Sequence, residues 1–123
     1  MDSSELKNSL NDLKIRLDDI KDGVFDINSK EKRLKEIESE LSKEEIWSDL
    51  DLSQKISKEK TALEKTLNSF KSVEEKVTDG LMFIDIAEEE GDDKSISEIL
   101  ESFQSLEQSV AELEFSKMFT NKM

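Results

Sequence analysis

The chain has 123 residues, 34% of them hydrophobic and 40% charged, and a net charge of −13. So acidic a chain is a poor match for a nucleic-acid backbone or an anionic membrane, both of which attract clustered Lys and Arg. With no histidine and no cysteine, imidazole catalysis, thiolate metal sites and disulfides are excluded as well. The hydrophobic share is low for a mixed sheet fold but suits helices, each of which needs only a stripe. Apolar residues recurring at threes and fours argue against disorder.

The first helix is expected over residues 3–22. Leu6, Leu10, Leu13, Leu17 and Ile20 form an a/d seam, and Asp2 and Glu5 have the spacing of a capping box. Gly23 is expected to take a positive φ and end the helix. Val24, Phe25 and Ile27 make an apolar connector. A second helix follows over residues 29–42, capped by Asn28 or Ser29, with Leu34, Ile37 and Leu41 on its apolar face. Residues 44–52 read as a break containing Ile46 and Trp47, with Asp49 as the next cap. Trp47 reads as a core anchor of this junction; an exposed partner contact is the other reading.

The third helix is expected over residues 50–89. Ile56, Leu63, Phe70, Val77 and Ile84 recur every seventh position, Leu67 and Leu81 alternate with them, and the chain holds no proline. Gly80 lies inside this helix, where a glycine costs about 1 kcal/mol, so a bend or a close helix contact is expected. Glu88, Glu89, Glu90, Gly91, Asp92 and Asp93 form the clearest turn, with Gly91 left-handed and Asp92 or Asp93 capping the next helix. A fourth helix over residues 93–118 carries Ile96, Ile99, Leu100, Phe103, Leu106, Val110 and Leu113.

The short loop makes helices three and four antiparallel. At roughly 60 Å and 40 Å they cannot cover each other fully, which leaves residues 52–63 for helices one and two to cover. The expected fold is all-α: one domain, an elongated bundle of about four helices with a long antiparallel hairpin projecting from it. Phe70, Phe83 and Phe103 are expected in the core. Met82, Phe83 and Ile86 are expected to pack at the hairpin tip against Ile96 and Ile99; a contact patch is the alternative. The tail holds Phe115, Met118, Phe119 and Met123 with no stop signal, as expected of a piece of something longer.

Chemistry is sparse. Three glycines make no phosphate-cradling loop, and no serine has a partner base. The acidic residues 88–93 lack the alternating ligands and terminal bidentate Glu of a calcium loop. No enzyme, metal or cofactor is expected. There is no apolar run near the 18 or so residues of a membrane span and no signal peptide, so a cytoplasmic protein is the default.

Several segments together resemble the N-terminal domain of the bacterial peptide chain release factor 2 family, within the class I release factors. They are Leu41-Ser42-Lys43-Glu44-Glu45-Ile46-Trp47-Ser48-Asp49; Gln54 through Glu64; Gly23-Val24-Phe25-Asp26; Ile86 through Asp93; and Leu113-Glu114-Phe115-Ser116-Lys117-Met118-Phe119. The chain departs from the family at Lys60, Leu50, Ser116 and Lys117, where an arginine, a proline and two arginines are usual. The resemblance implies translation termination at UGA and UAA codons. The family reads them through a Ser-Pro-Phe tripeptide and hydrolyses peptidyl-tRNA through a Gly-Gly-Gln loop. This chain contains neither motif, so the segment is expected to be a ribosome-docking arm and not an enzyme. Its implied partners are a ribosomal stalk-base protein and the class II release factor GTPase, with no direct nucleic-acid or membrane binding. The partner-contact residues are placed at Glu88, Glu89, Glu90, Gly91, Asp92 and Asp93. The competing reading is a free-standing coiled-coil adaptor that self-associates through its seams; the isolated segment could also self-associate.

Overall fold

Helix α1 (Ser3–Asp22) starts where the Asp2 carboxylate accepts from the Glu5 amide at 2.8 Å, satisfying one of the orphan donors of the first turn. Its seam residues Leu6, Leu10, Leu13, Leu17 and Ile20 are all buried. The computed structural model describes residues 2–23 and 25–121, with side chains through Ser116. Val24, Met118 and Phe119, which carried part of the sequence reading, lie outside the described residues or side chains. Gly23 ends α1 without a positive φ (−91°). A Cβ there would stand 2.7 Å from the Asp19 carbonyl oxygen, which the Gly23 amide itself approaches to 3.0 Å. Close backbone approach, not left-handedness, is what calls for glycine.

The left-handed residue is instead Asp26 (φ 43°, ψ 62°), the cap of α2 (Ile27–Leu41); its carboxylate accepts from the Ser29 amide at 3.4 Å. The second helix thus begins two residues before the expected position 29, and Asn28 and Ser29 lie inside it. Aspartate is among the few residues that tolerate this conformation. The connector's Phe25 is buried and tilts against Phe70, with ring centroids 6.3 Å apart. Lys30 lies over the Phe25 ring at 5.8 Å and donates to the Phe25 carbonyl.

The expected break contains a single helical turn, α3 (Glu44–Trp47). Trp47 does not anchor the core: 60% of it is exposed, and its indole N–H donates to the Leu41 carbonyl at 2.5 Å. That bond satisfies a carbonyl orphaned at the end of α2. Burial of the tryptophan was expected from the general tendency of aromatics; here the ring lies outside because its polar edge serves the helix terminus.

Helix α4 (Leu50–Glu90) follows, capped by Asp49 on the Leu52 amide at 3.1 Å, and α5 (Asp93–Asn121) returns antiparallel to it. Ile56, Phe70, Val77 and Ile84 of the seven-residue repeat are buried, Leu63 half-buried. Val73 and Ala87 join them, while Phe103, Leu106, Val110 and Leu113 answer from α5. Gly80 interrupts neither helix nor packing; a Cβ on it would meet Leu10 of α1 at 3.4 Å, so the expected close contact is the one found. Phe83, expected in the core, is half-exposed.

The main departure is the place of α1. Ser3 donates to Glu88 at 3.3 Å, Lys7 pairs with Asp85 at 2.5 Å and Lys21 with Glu74 at 3.2 Å, so α1 runs antiparallel along the later half of α4. Arg16 forks onto Glu114 of α5 through two bonds of 3.1 and 2.5 Å. The α1 seam closes a three-helix bundle with the hairpin, all in one hydrophobic cluster. The hairpin therefore does not project bare, and α2 and α3 cover the early half of α4. Ile37 is fully buried there, and Arg33 holds Glu59 with both carboxylate oxygens at 2.8 and 2.9 Å. Its guanidinium holds the Glu59 carboxyl below the usual range.

Candidate functional site: the hairpin tip

The tip is built by two ordinary helix-end devices. Gly91 (φ 64°, ψ 32°) takes the left-handed conformation that L side chains resist, and the Asp92 amide closes back on the Ala87 carbonyl at 2.9 Å. Asp92 then caps α5, one oxygen accepting from the Ser95 amide at 3.1 Å and the other from the Ser95 hydroxyl at 2.7 Å. The Ser95 hydroxyl, and after it the Ser95 amide, hold the Asp92 carboxyl below its ordinary value. Of the six residues placed here from the sequence, Gly91 and Asp92 are thus engaged in making the turn. Glu89, Glu90 and Asp93 are exposed, and Glu88 accepts from Ser3.

The carboxylates stand where they are least welcome. Glu88, Glu89 and Glu90 occupy the last turn of α4, which has no basic residue. Acidic groups at a helix C-terminus oppose the macrodipole by about 0.3–1 kcal/mol each at low salt. The antiparallel α1 offsets part of this, because its positive N-terminal end lies beside Glu88.

Beside the carboxylates, Met82, Phe83 and Ile86 are 50%, 50% and 46% exposed. Their i, i+1, i+4 spacing puts them on one side of α4. Ile96 and Ile99, their expected cover, are half-buried and do not close over them. Phe83 edges a groove between α4 and α5 floored by Leu10, Phe103 and Leu106. The sequence suggested both roles for these residues, and the contact-patch alternative matches the exposure. No cluster of metal-ligating side chains occurs among the described residues, and no helix there is long and apolar enough to cross a membrane.

A predominantly helical domain whose hairpin ends in an acidic turn belongs to a recognisable class: the PCRF domain family matches residues 30–123, and the chain is a member of that family. Over most of its length it is similar to proteins called peptide chain release factor 2. It is 32% identical to that of Haemophilus influenzae over 95% of this chain and 32% of the relative. It is 33% identical to that of Buchnera aphidicola over 99% and 33%, and 34% identical to that of Neisseria gonorrhoeae over 94% and 31%. The chain spans about a third of the length of the relatives it matches. The resemblance drawn from the Trp47 junction and the acidic turn is thereby shown.

Proposed function

We propose that this chain is the docking arm of a peptide chain release factor, serving translation termination at UGA and UAA codons in the cytoplasm. It binds the ribosome near the stalk base, in reach of the class II release factor GTPase, and neither decodes nor catalyses. The tip carries the reading: a row of helix-end carboxylates, unfavourable in the free chain, beside three half-exposed apolar side chains. A basic protein surface would neutralise the former and cover the latter.

The free-standing adaptor reading is weaker, because Phe70, Val77 and Ile84 of the seven-residue seam are covered from within the chain by α1 and α5, and the early half of α4 is packed by α2 and α3. Light scattering coupled to size exclusion separates the two in part: a monomer at low concentration excludes the stable adaptor dimer, whereas a dimer alone does not decide, because the isolated arm could self-associate too. The direct test is co-sedimentation with bacterial large ribosomal subunits. Wild type should pellet with them, and the combined variant Phe83→Ser, Glu89→Lys, Glu90→Lys should bind on the order of tenfold more weakly, the loss of an interface anchor. Absence of wild-type binding would overturn the docking role.

A further inference from the structure

At the other end of α4, the turn between α3 and α4 exposes two large apolar side chains three residues apart. Trp47 is 60% and Leu50 67% exposed, and Leu52 is 39% exposed. The elbow under them is firmly tied. The Trp47 indole is held on the Leu41 carbonyl at 2.5 Å, and the Ser48 amide and hydroxyl reach the Glu44 and Glu45 carbonyls at 3.2 and 2.8 Å. The Asp49 amide reaches the Ile46 carbonyl at 3.2 Å. A tryptophan fixed by its polar edge with its ring in water is pre-organised as an anchor, since little side-chain freedom remains to be lost on binding.

We propose that this elbow is a second docking surface, for a basic protein surface with an apolar pocket that accepts Trp47 and Leu50. The flanking charge argues for that chemistry: Glu44, Glu45, Asp49 and Asp51, all exposed, lie within three residues of Trp47 or Leu50 in the chain, against Lys43 and Lys55. A second copy of the chain would set the same acidic rim against itself, Glu44, Glu45, Asp49 and Asp51 outnumbering Lys43 and Lys55, and an anionic membrane would be repelled by it in the same way. The elbow is remote from the tip, separated by the 41 residues of α4 or roughly 60 Å. The proposal rests on the docking reading for its partner, the large ribosomal subunit, but names different residues.

The test measures affinity for bacterial large ribosomal subunits with Trp47→Ala, Leu50→Ser and, for the rim, Glu44→Lys with Glu45→Lys. Circular dichroism and thermal melting check the fold of each variant. Folded elbow variants are expected to bind on the order of tenfold more weakly or worse, as for loss of a tryptophan anchor. Elbow variants binding like wild type would overturn the proposal while leaving the docking arm intact. Failure of wild type itself to bind would remove both. Should Trp47→Ala not fold, Leu50→Ser decides alone, because that side chain is two-thirds in solvent.

Discussion

Gly80 shows how one missing side chain is balanced between helix and packing. It lies mid-helix, where glycine is less favourable than alanine by about 0.5–1 kcal/mol. A Cβ there would meet the Leu10 methyls at 3.4 and 3.6 Å, ordinary contact distances. Gly80→Ala should therefore stabilise the fold by roughly the propensity difference, read as a higher urea midpoint with unchanged slope. Lower stability would mean that α1 cannot yield even a few tenths of an ångström at this crossing. At this scale the sequence was readable where a rule is local. Asp2, Asp49 and Asp92 cap as their positions suggest, whereas the left-handed conformation expected of Gly23 falls on Asp26, which also takes the cap expected of Asn28 or Ser29. The choice between them turns on a carbonyl 2.7 Å away, a distance that no residue pattern encodes.

Among the elements, α1 decides the architecture. Its five seam residues are at most 1% exposed, against core residues from both hairpin helices. Leu13→Ala is expected to cost about 2–5 kcal/mol, the range for a fully buried leucine, measured by chemical denaturation. A cost under about 1 kcal/mol would indicate that α1 is a loosely held cover. The periodicity of α1, α4 and α5 was legible because each buries one stripe. Which helix α1 would choose was not, because helices one and two both offered an apolar face to the uncovered part of α4. In the fold the α1 stripe joins core residues of α4 and α5 in one cluster, and the cross-helix ion pairs Lys7–Asp85, Arg16–Glu114 and Lys21–Glu74 mark its register, each contributing little. At the tip, the turn devices of Gly91 and Asp92 could be read from residue type. The exposure of Met82, Phe83 and Ile86 depends on how far α5 reaches over them and could not.

The whole molecule is electrically divided. Residues 30–71 carry ten basic and ten acidic side chains, so the −13 falls outside them, most of it on residues 72–121, the later half of α4 and α5, with fourteen acidic and three basic residues. The hairpin end of the bundle thus concentrates like charge, and the partly exposed ion pairs that relieve it each contribute little in water. Salt should accordingly raise the melting temperature at neutral pH, because screening the repulsion outweighs loosening those pairs. Melting curves between low salt and about 0.5 M, where the screening length is a few ångströms, test this. A falling melting temperature would show instead that Arg16, Lys21 and Arg33 contribute more than the repulsion costs.

The unbroken course of α4, with no proline and with its one internal glycine facing Leu10 of α1, has a mechanical consequence. A helix braced by α2 and α3 along one half and by α1 and α5 along the other behaves as a strut. If both ends are held, a shift of the surface under one is delivered to the other with little loss in bending. The strut also sets a gauge: two surfaces gripped together must stand one helix length apart, and adding a single turn would change that spacing by about 5.4 Å.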